Sequence, residues 1–170
     1  MPIDRCPHTF DHLAKVVLPG HFLRLQAAIN APIAAEALVG IRSATRQVLS
    51  RLHLAADFPG CYILLDGKKP IYVGISRRVI RRLVQHLNYR SHYAASLVYR
   101  MACIAYPHEM RRSEAMRDAK FQEAFHSAQG RLHRMRIAFI PIENDLELYL
   151  FEVFASMKLD THVWNTFRTH

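Results

Sequence analysis

Alternating apolar and polar positions predict a small antiparallel sheet in the middle of the chain. The run CYILLD, which ends at the turn signal Asp66-Gly67, is typical of a strand, and the run IYVGI after Lys68-Lys69-Pro70 is typical of its hairpin partner. Between residues 134 and 142 apolar and polar side chains alternate again, which predicts a third strand. We therefore expect a three-stranded, mostly antiparallel sheet.

Apolar residues at helical spacing predict helices on both sides of these strands. Just after the hairpin, the apolar positions from residue 79 to residue 87 recur at helical intervals. Further helices are predicted over residues 32–54, 93–104, 109–126 and 145–159, with Gln129-Gly130 as a break after the third of these. The expected fold class is α+β, with helices packed on the sheet in a domain at residues 58–170. Residues 1–57 are expected to form an N-terminal helical extension.

Chemically useful side chains are concentrated in the hairpin and the helix that follows it. Arg78, Arg82 and His86 are spaced four residues apart, so all three are expected on one helix face. The two predicted hairpin strands contribute Tyr62 and Tyr72. Tyrosines beside cationic or protonatable groups suit the handling of a phosphodiester.

The order of these residues resembles a known family. Gly60-Cys61-Tyr62, then Tyr72-Val73-Gly74, then Arg82 and His86, are similar to the signature of the GIY-YIG nuclease superfamily, with Cys61 and Val73 in place of isoleucine. Glu152 within LELYLFEVFASMKL and Asn165 within HVWNTF resemble the later part of that signature. The resemblance extends over roughly residues 58 to 167.

This resemblance implies a divalent-metal-dependent endonuclease that hydrolyses DNA phosphodiester bonds, of a restriction or repair type. It implies that Glu152 binds Mg²⁺ or Mn²⁺, that Tyr62 is the base or a water-positioning group, and that Arg82 clamps the scissile phosphate. Tyr72 would position through its hydroxyl, and His86 is a second candidate as phosphate donor or base. By the same resemblance, the residues that support the site are Gly60, Gly74 and Asn165, the last by hydrogen bonds to backbone.

The distribution of charge supports a polyanionic partner independently of the motif. The formal net charge is +9, and no Asp or Glu occurs from residue 67 to residue 108. Such a one-sided basic stretch is typical of nucleic-acid-binding surfaces, although a solvated basic face is the alternative. The residues expected to contact DNA are Lys68, Lys69, Arg77, Arg78, Arg81, Arg90 and Ser96. RNA remains an alternative partner.

Glu152 is also singled out by its surroundings in the sequence. Apolar residues occupy nearly the whole circumference of the predicted last helix, which predicts that its carboxylates are withdrawn from solvent. A withdrawn carboxylate is costly unless it is paired or binds a metal ion. Glu147 is the rival ligand, and the spacing to Asn165 favours Glu152.

Other features limit the compartment and the partners. The three cysteines form no CxxC pair, which argues against a disulfide framework or a zinc site and favours a reducing, cytoplasmic location. No run is long and apolar enough for a membrane span. The apolar stripe of residues 32–54 either covers the core or forms a homodimer interface. A non-catalytic nucleic-acid-binding module and an RNA-directed nuclease are the alternative functions.

Overall fold

The computed structural model describes residues 3–40 and 45–167. Within it the chain forms two compact units. The first consists of Met1–Ala34, Ala56–Val79 and Arg136–His170, and the second of Ala35–Ala55 and Ile80–Met135. The predicted boundary between an extension at residues 1–57 and a domain at residues 58–170 stays a prediction.

The first unit contains a sheet of four antiparallel strands, in the order β1-β4-β2-β3. The strands are β1 (Ile33–Ala34), β2 (Gly60–Asp66), β3 (Lys69–Ser76) and β4 (Arg136–Pro141). The α+β class is confirmed, but the expected number of three strands is wrong. The additional strand, β1, pairs with Ile137 and Arg136 of β4 and has two residues, too few for an alternating pattern to reveal it.

Along the chain, helices precede, separate and follow the strands and make up most of the remaining residues. They are α1 (Phe10–His12), α2 (Leu18–Asn30), α3 (Thr45–Arg51), α4 (Val79–Asn88), α5 (Ser96–Ala105), α6 (Arg112–Ala115), α7 (Ala119–His133) and α8 (Asp145–Lys158). A π-helical segment, Leu13–Val17, joins α1 to α2. None of the helices in the part of the chain described is long and apolar enough to cross a membrane.

The core of the first unit lies between one face of the sheet and two helices. Cys61, Ile63 and Leu65 of β2 alternate along that strand and point to the same side, as the period of a strand requires. They pack with Leu25 of α2 and Phe151 of α8, both fully buried. The core therefore fixes α8, and with it the predicted metal ligand, against the sheet.

The second unit is helical, and here several predicted boundaries are wrong. Residues 32–54 do not form one helix, because β1 and a 3-10 turn, Ala35–Leu38, precede Gly40, whose φ of +81° ends any helix. Ile41, part of the predicted stripe, lies outside the described residues. The expected helix at 109–126 is divided into α6 and α7 at Asp118, which caps α7. Helix α7 then continues through Gly130 to His133, so the predicted break at Gln129-Gly130 is also wrong.

Candidate functional site

The two tyrosine-glycine motifs meet across the β2–β3 hairpin. Tyr62 is paired with Gly74, and Leu64 with Tyr72, so the two tyrosines share one face of the sheet. Their ring centroids are 6.1 Å apart. A β-carbon at residue 74 would lie 2.5 Å from the Tyr62 hydroxyl oxygen and would overlap the ring, so only glycine fits there. The motif is thus a contact between two strands.

The tyrosines differ in their access to solvent. Tyr62 is 1% exposed, whereas Tyr72 is half-buried. A general base has to reach a water molecule, directly or through one intermediate. Because Tyr62 is buried, Tyr72 is the better placed of the two to meet water. Sequence alone could not distinguish the two tyrosines in this respect.

Residue 60 must be glycine for a different structural reason. It begins β2 and pairs with Pro141 of β4, and a β-carbon there would overlap the carbonyl oxygen of Ile140. The glycine allows the backbones of β2 and β4 to approach at the start of the first motif.

Asn165 binds the backbone in the centre of the second motif. Its Oδ1 accepts a hydrogen bond from the Val73 N–H at 2.9 Å, and its Nδ2 donates to the Val73 carbonyl at 2.7 Å. Because β3 is an edge strand, these two bonds satisfy backbone groups that no neighbouring strand reaches. This is the backbone contact expected of Asn165, and it holds the segment after α8 beside Tyr72 and Gly74.

Glu147, the rival metal ligand, is engaged elsewhere. Its Oε2 lies 2.9 Å from Nε2 of His21, and its Oε1 lies 3.8 Å from Nε2 of His8. Arg24 Nη1 donates to Nδ1 of His21 at 3.2 Å, which leaves the ring proton on Nε2, where it donates to Glu147. Sequence spacing could not reveal this network, because His21 and Glu147 are 126 positions apart.

Glu152 is half-buried and lies near the strand of the first motif. Burial raises the pKa of its carboxyl group. Burial first, and then the Glu152 charge, raise the pKa of the Cys61 thiol. Helix α8 contacts both β2 and β3. Cys61 and Tyr62 are successive residues of a strand, so their side chains point to opposite faces of the sheet.

The helix that carries Glu152 exposes more apolar side chains to solvent than its sequence predicted. Tyr149, Val153 and Met157 are 63%, 39% and 78% exposed. These three residues are spaced by four, so one stripe of α8 faces solvent although it is apolar. The expectation that little of this helix meets solvent is wrong, because hydrophobicity alone does not determine which face packs.

In the second unit, Arg82 is held by the segment that precedes and opens α5. Its Nη1 donates to the Ala94 carbonyl oxygen and its Nη2 to Ser96 Oγ, each at 2.9 Å. Nη1 is also 3.5 Å from Gln85 Oε1. Ser96, which was predicted to contact DNA, therefore contacts Arg82 here.

His86 is buried and uncharged at neutral pH. Burial first, and then the Arg82 charge, lower its pKa to about 3. The neutral imidazole adds no positive charge beside Arg82. The expectation that Arg78 shares a helix face with Arg82 and His86 is wrong, because Arg78 precedes α4 and is exposed, whereas His86 is buried. A catalytic role for His86 stays a prediction, and at neutral pH the uncharged imidazole would have to perform it.

The remaining basic residues are mostly at the surface. Lys68, Lys69, Arg78, Arg81 and Arg90 are exposed. Arg77 is exposed too, and its Nη2 donates to Asp145 Oδ2 at 2.7 Å. These exposures fit the predicted contact with a polyanion and equally fit a solvated basic face.

A metal site has few donors. Across residues 3–40 and 45–167, no three His, Cys, Asp or Glu side chains are grouped so that they could hold a metal ion. Glu152 is the predicted single carboxylate ligand. Tyr62, Tyr72, Gly74, Asn165 and Glu152 belong to the first unit, whereas Arg82, His86 and Ser96 belong to the second.

Comparisons of the chain with protein-family models, with curated proteins and with solved structures found no match.

Proposed function

We propose that this chain is a divalent-metal-dependent endonuclease of the GIY-YIG type that hydrolyses DNA phosphodiester bonds. The observation that carries the proposal is the contact of the Tyr62 ring with Gly74 across the hairpin. It gives a physical reason for the order of both motifs, since the glycine of the second is required by the tyrosine of the first. Two motifs that resembled the family signature only by chance would not require such a contact.

A second support is the position of Asn165. The side chain lies 92 positions after Val73 in the chain and binds both of its backbone groups. The first, second and last parts of the sequence signature therefore meet at one hairpin, in the order expected from the resemblance.

Glu152 fits the single carboxylate that such a site needs. Mg²⁺ is commonly held by one or two carboxylates together with water and substrate phosphates. A half-buried carboxyl group with a raised pKa gains from a nearby cation, which favours its charged form. When bound at Glu152, the ion would supply charge stabilisation at the leaving oxygen. With one protein ligand, tight binding of the ion should require DNA.

The other residues have roles that follow from their exposure and contacts. Tyr72, half-buried beside the hairpin edge, is the candidate to position water or take its proton. An unperturbed tyrosine has a pKa of about 10, so a base role requires cationic neighbours. The buried Tyr62 supports Tyr72 from the same face, and Arg82 donates to phosphate oxygens.

A non-catalytic nucleic-acid-binding module is the second candidate. The side chains of Cys61 and Tyr62 point to opposite faces of the sheet, and the Glu152 charge affects Cys61. This arrangement favours the second candidate. In such a module the carboxylate and the tyrosines would not need to act on one phosphate. Such a module would bind DNA and leave it intact.

One experiment separates the two candidates. Supercoiled plasmid is incubated with the wild-type chain in Mg²⁺, in Mn²⁺ or in EDTA, and with Glu152→Ala and Glu147→Ala in Mg²⁺. Nicking or linearisation that needs the metal and is lost in Glu152→Ala supports the nuclease. Binding by gel shift without any cutting, over a range of duplex sequences, would support the module instead.

A further inference from the structure

The two units differ greatly in charge. The second contains 13 Lys and Arg residues against five Asp and Glu, a formal charge of +8, whereas the first contains 10 against nine. Twelve of those 13 residues are arginine. Arginine binds phosphate oxygens in pairs and is the preferred side chain for phosphate recognition. The charge of this protein is thus concentrated in its helical unit.

Within that unit, hydrogen bonds join the end of α4 to the end of α7. Gln129 Nε2 donates to the carbonyl oxygen of Tyr89 at 3.1 Å. His133 Nε2 lies 2.7 Å from the carbonyl oxygen of Leu87, which can only accept, so the nitrogen donates. These bonds join residues that are 40 and 46 positions apart in the chain.

Three arginines flank these bonds. Arg90 follows Tyr89 directly, and Arg131 and Arg134 lie on either side of His133. All three are exposed. We call Arg90, Arg131 and Arg134 the basic end of the second unit. Arg131 and Arg134 lie outside the acid-free stretch of residues 67–108, so the sequence pattern did not include them.

In the sequence, no acidic residue lies close to Arg90, Arg131 or Arg134. Residues 80–108 and 124–135 contain no Asp or Glu. Two acidic residues of the unit have other structural roles: Glu114 accepts from the Arg111 N–H at 3.1 Å, and Asp118 accepts from the Phe121 N–H at 2.8 Å. Glu36 belongs to the 3-10 turn Ala35–Leu38, which contacts α7, and is the acidic residue to set against the three arginines. The basic end therefore keeps an excess of positive charge.

A helix C-terminus attracts cations through its dipole, and this could explain some of these arginines. That effect falls off within the last turn and is typically about 0.3–1 kcal/mol per residue. Arg90 lies beyond the end of α4 at Asn88, and Arg134 follows the end of α7 at His133. A dipole role predicts lower thermal stability when they are replaced, whereas a binding role predicts weaker binding at unchanged stability.

We propose that the basic end binds the phosphodiester backbone of DNA. This rests on the proposed function for the identity of the polyanion, but not on the cutting step. The basic end supplies charge and bidentate donors for phosphate without reading bases, so it sets affinity and leaves sequence preference unchanged.

The test compares two full-length variants with matched losses of charge. One is Arg90→Gln/Arg131→Gln/Arg134→Gln, and the control from the first unit is Arg5→Gln/Arg136→Gln/Lys158→Gln, whose wild-type residues are also exposed. Binding to a short mixed-sequence DNA duplex is measured in EDTA over a series of salt concentrations. Melting temperatures are measured in parallel.

Each lost phosphate contact should reduce the slope of log affinity against log salt by about 0.9. We expect the basic-end variant to lose about 2 to 3 from the slope at an unchanged melting temperature, and the control to lose less than about 1. Equal losses in both variants, an unchanged slope in the basic-end variant, or the absence of DNA binding by the wild type would overturn the proposal. So would a slope change seen with duplex RNA alone. Wild-type binding without cutting in Mg²⁺ would overturn the nuclease and leave the basic end intact.

Discussion

The hydroxyl oxygen of Tyr62 lies 2.5 Å from the position that a β-carbon of residue 74 would occupy. The two residues are cross-strand partners, and Tyr62 is fully buried, so the ring has no alternative space within the hairpin. Any side chain at residue 74 must displace either the ring or the backbone of β3. The tyrosine and the glycine are therefore a single structural feature.

Gly74→Ala should accordingly destabilise the protein by about 1–3 kcal/mol and abolish any cutting that depends on the hairpin. Gly130→Ala is the matched control, because a β-carbon there would have 3.8 Å to its nearest neighbour, inside α7. It should stabilise by about 0.5–1 kcal/mol, since alanine is the better helix former. Urea unfolding of both variants measures this. A Gly74→Ala variant as stable as the wild type would contradict the described contact.

Glu152→Gln should raise the melting temperature at neutral pH while it removes metal-dependent cutting. Burial raises the pKa of the folded carboxyl group, so ionisation costs the folded state stability at pH values above that pKa. The gain from glutamine should shrink as pH falls through the folded pKa and vanish below the unfolded one, near 4.5. Thermal melts from pH 8 to about pH 3.5 check the sign.

Glu147→Gln is the contrasting variant on the same helix. Its carboxylate accepts from His21, so the substitution should lower stability by about 1–3 kcal/mol without affecting cutting chemistry. If Glu147→Gln is the variant that loses cutting at unchanged stability, the assignment of the metal to Glu152 is wrong.

The hairpin shows how far the sequence could predict this fold. Its strands and its turn follow from alternation and from turn residues, which are local signals. The pairing of Tyr62 with Gly74 does not, because it depends on a register shift between Leu64 and Leu65. Strand β1 and the bond from Asn88 Nδ2 to the Leu38 carbonyl oxygen depend on segments distant in sequence. Asn88 Oδ1 also accepts from the Gly40 N–H, so this side chain holds residues 38 and 40 in place.

The candidate site shows the same division. Residue types and spacing make the tyrosines, Arg82 and Glu152 candidates, but exposure is a property of packing. The sequence therefore could not indicate that Tyr62 is buried, that His86 is neutral, or that Ser96 accepts from Arg82.

His86 should make the protein sensitive to acid. Its pKa is about 3 in the folded chain against 6.5 ordinarily, so the unfolded chain binds the additional proton. The stability that the neutral ring contributes is complete above about pH 6.5 and is lost progressively as pH falls toward 3, by about 1.4 kcal/mol per pH unit. His86→Leu should flatten this dependence in urea unfolding between pH 7 and 4. An unchanged slope would mean that other groups cause the acid sensitivity.

The two tyrosines should differ in their effect on cutting. Tyr72 is half-buried and Tyr62 is 1% exposed, so Tyr72→Phe should reduce the single-turnover rate by about 10²–10⁴ if it is the base, and Tyr62→Phe should reduce it less. The rise in rate with pH that reports deprotonation of the base should disappear in Tyr72→Phe and persist in Tyr62→Phe. The reverse pattern would return the base to Tyr62.

Arg82 should not be replaceable by lysine. Its guanidinium donates through Nη1 to the Ala94 carbonyl and through Nη2 to Ser96 Oγ, and one ammonium cannot span both acceptors while it also binds a phosphate. Arg82→Lys should therefore lose cutting nearly as completely as Arg82→Ala, whereas the exposed Arg78 should tolerate lysine.

Ser96 provides the discriminating control for Arg82. If Ser96 acts by orienting Arg82, Ser96→Ala should lower the cutting rate, and Ser96→Thr, which keeps the hydroxyl, should restore most of it. Binding of DNA in EDTA should be nearly unchanged in both, because one neutral hydroxyl adds little to affinity for a polyanion. In an Arg82→Ala background, Ser96→Ala should have no further effect on rate, since the bond is already absent. Additive losses in that double-mutant cycle would show that Ser96 acts on DNA directly and that its contact with Arg82 is incidental to function.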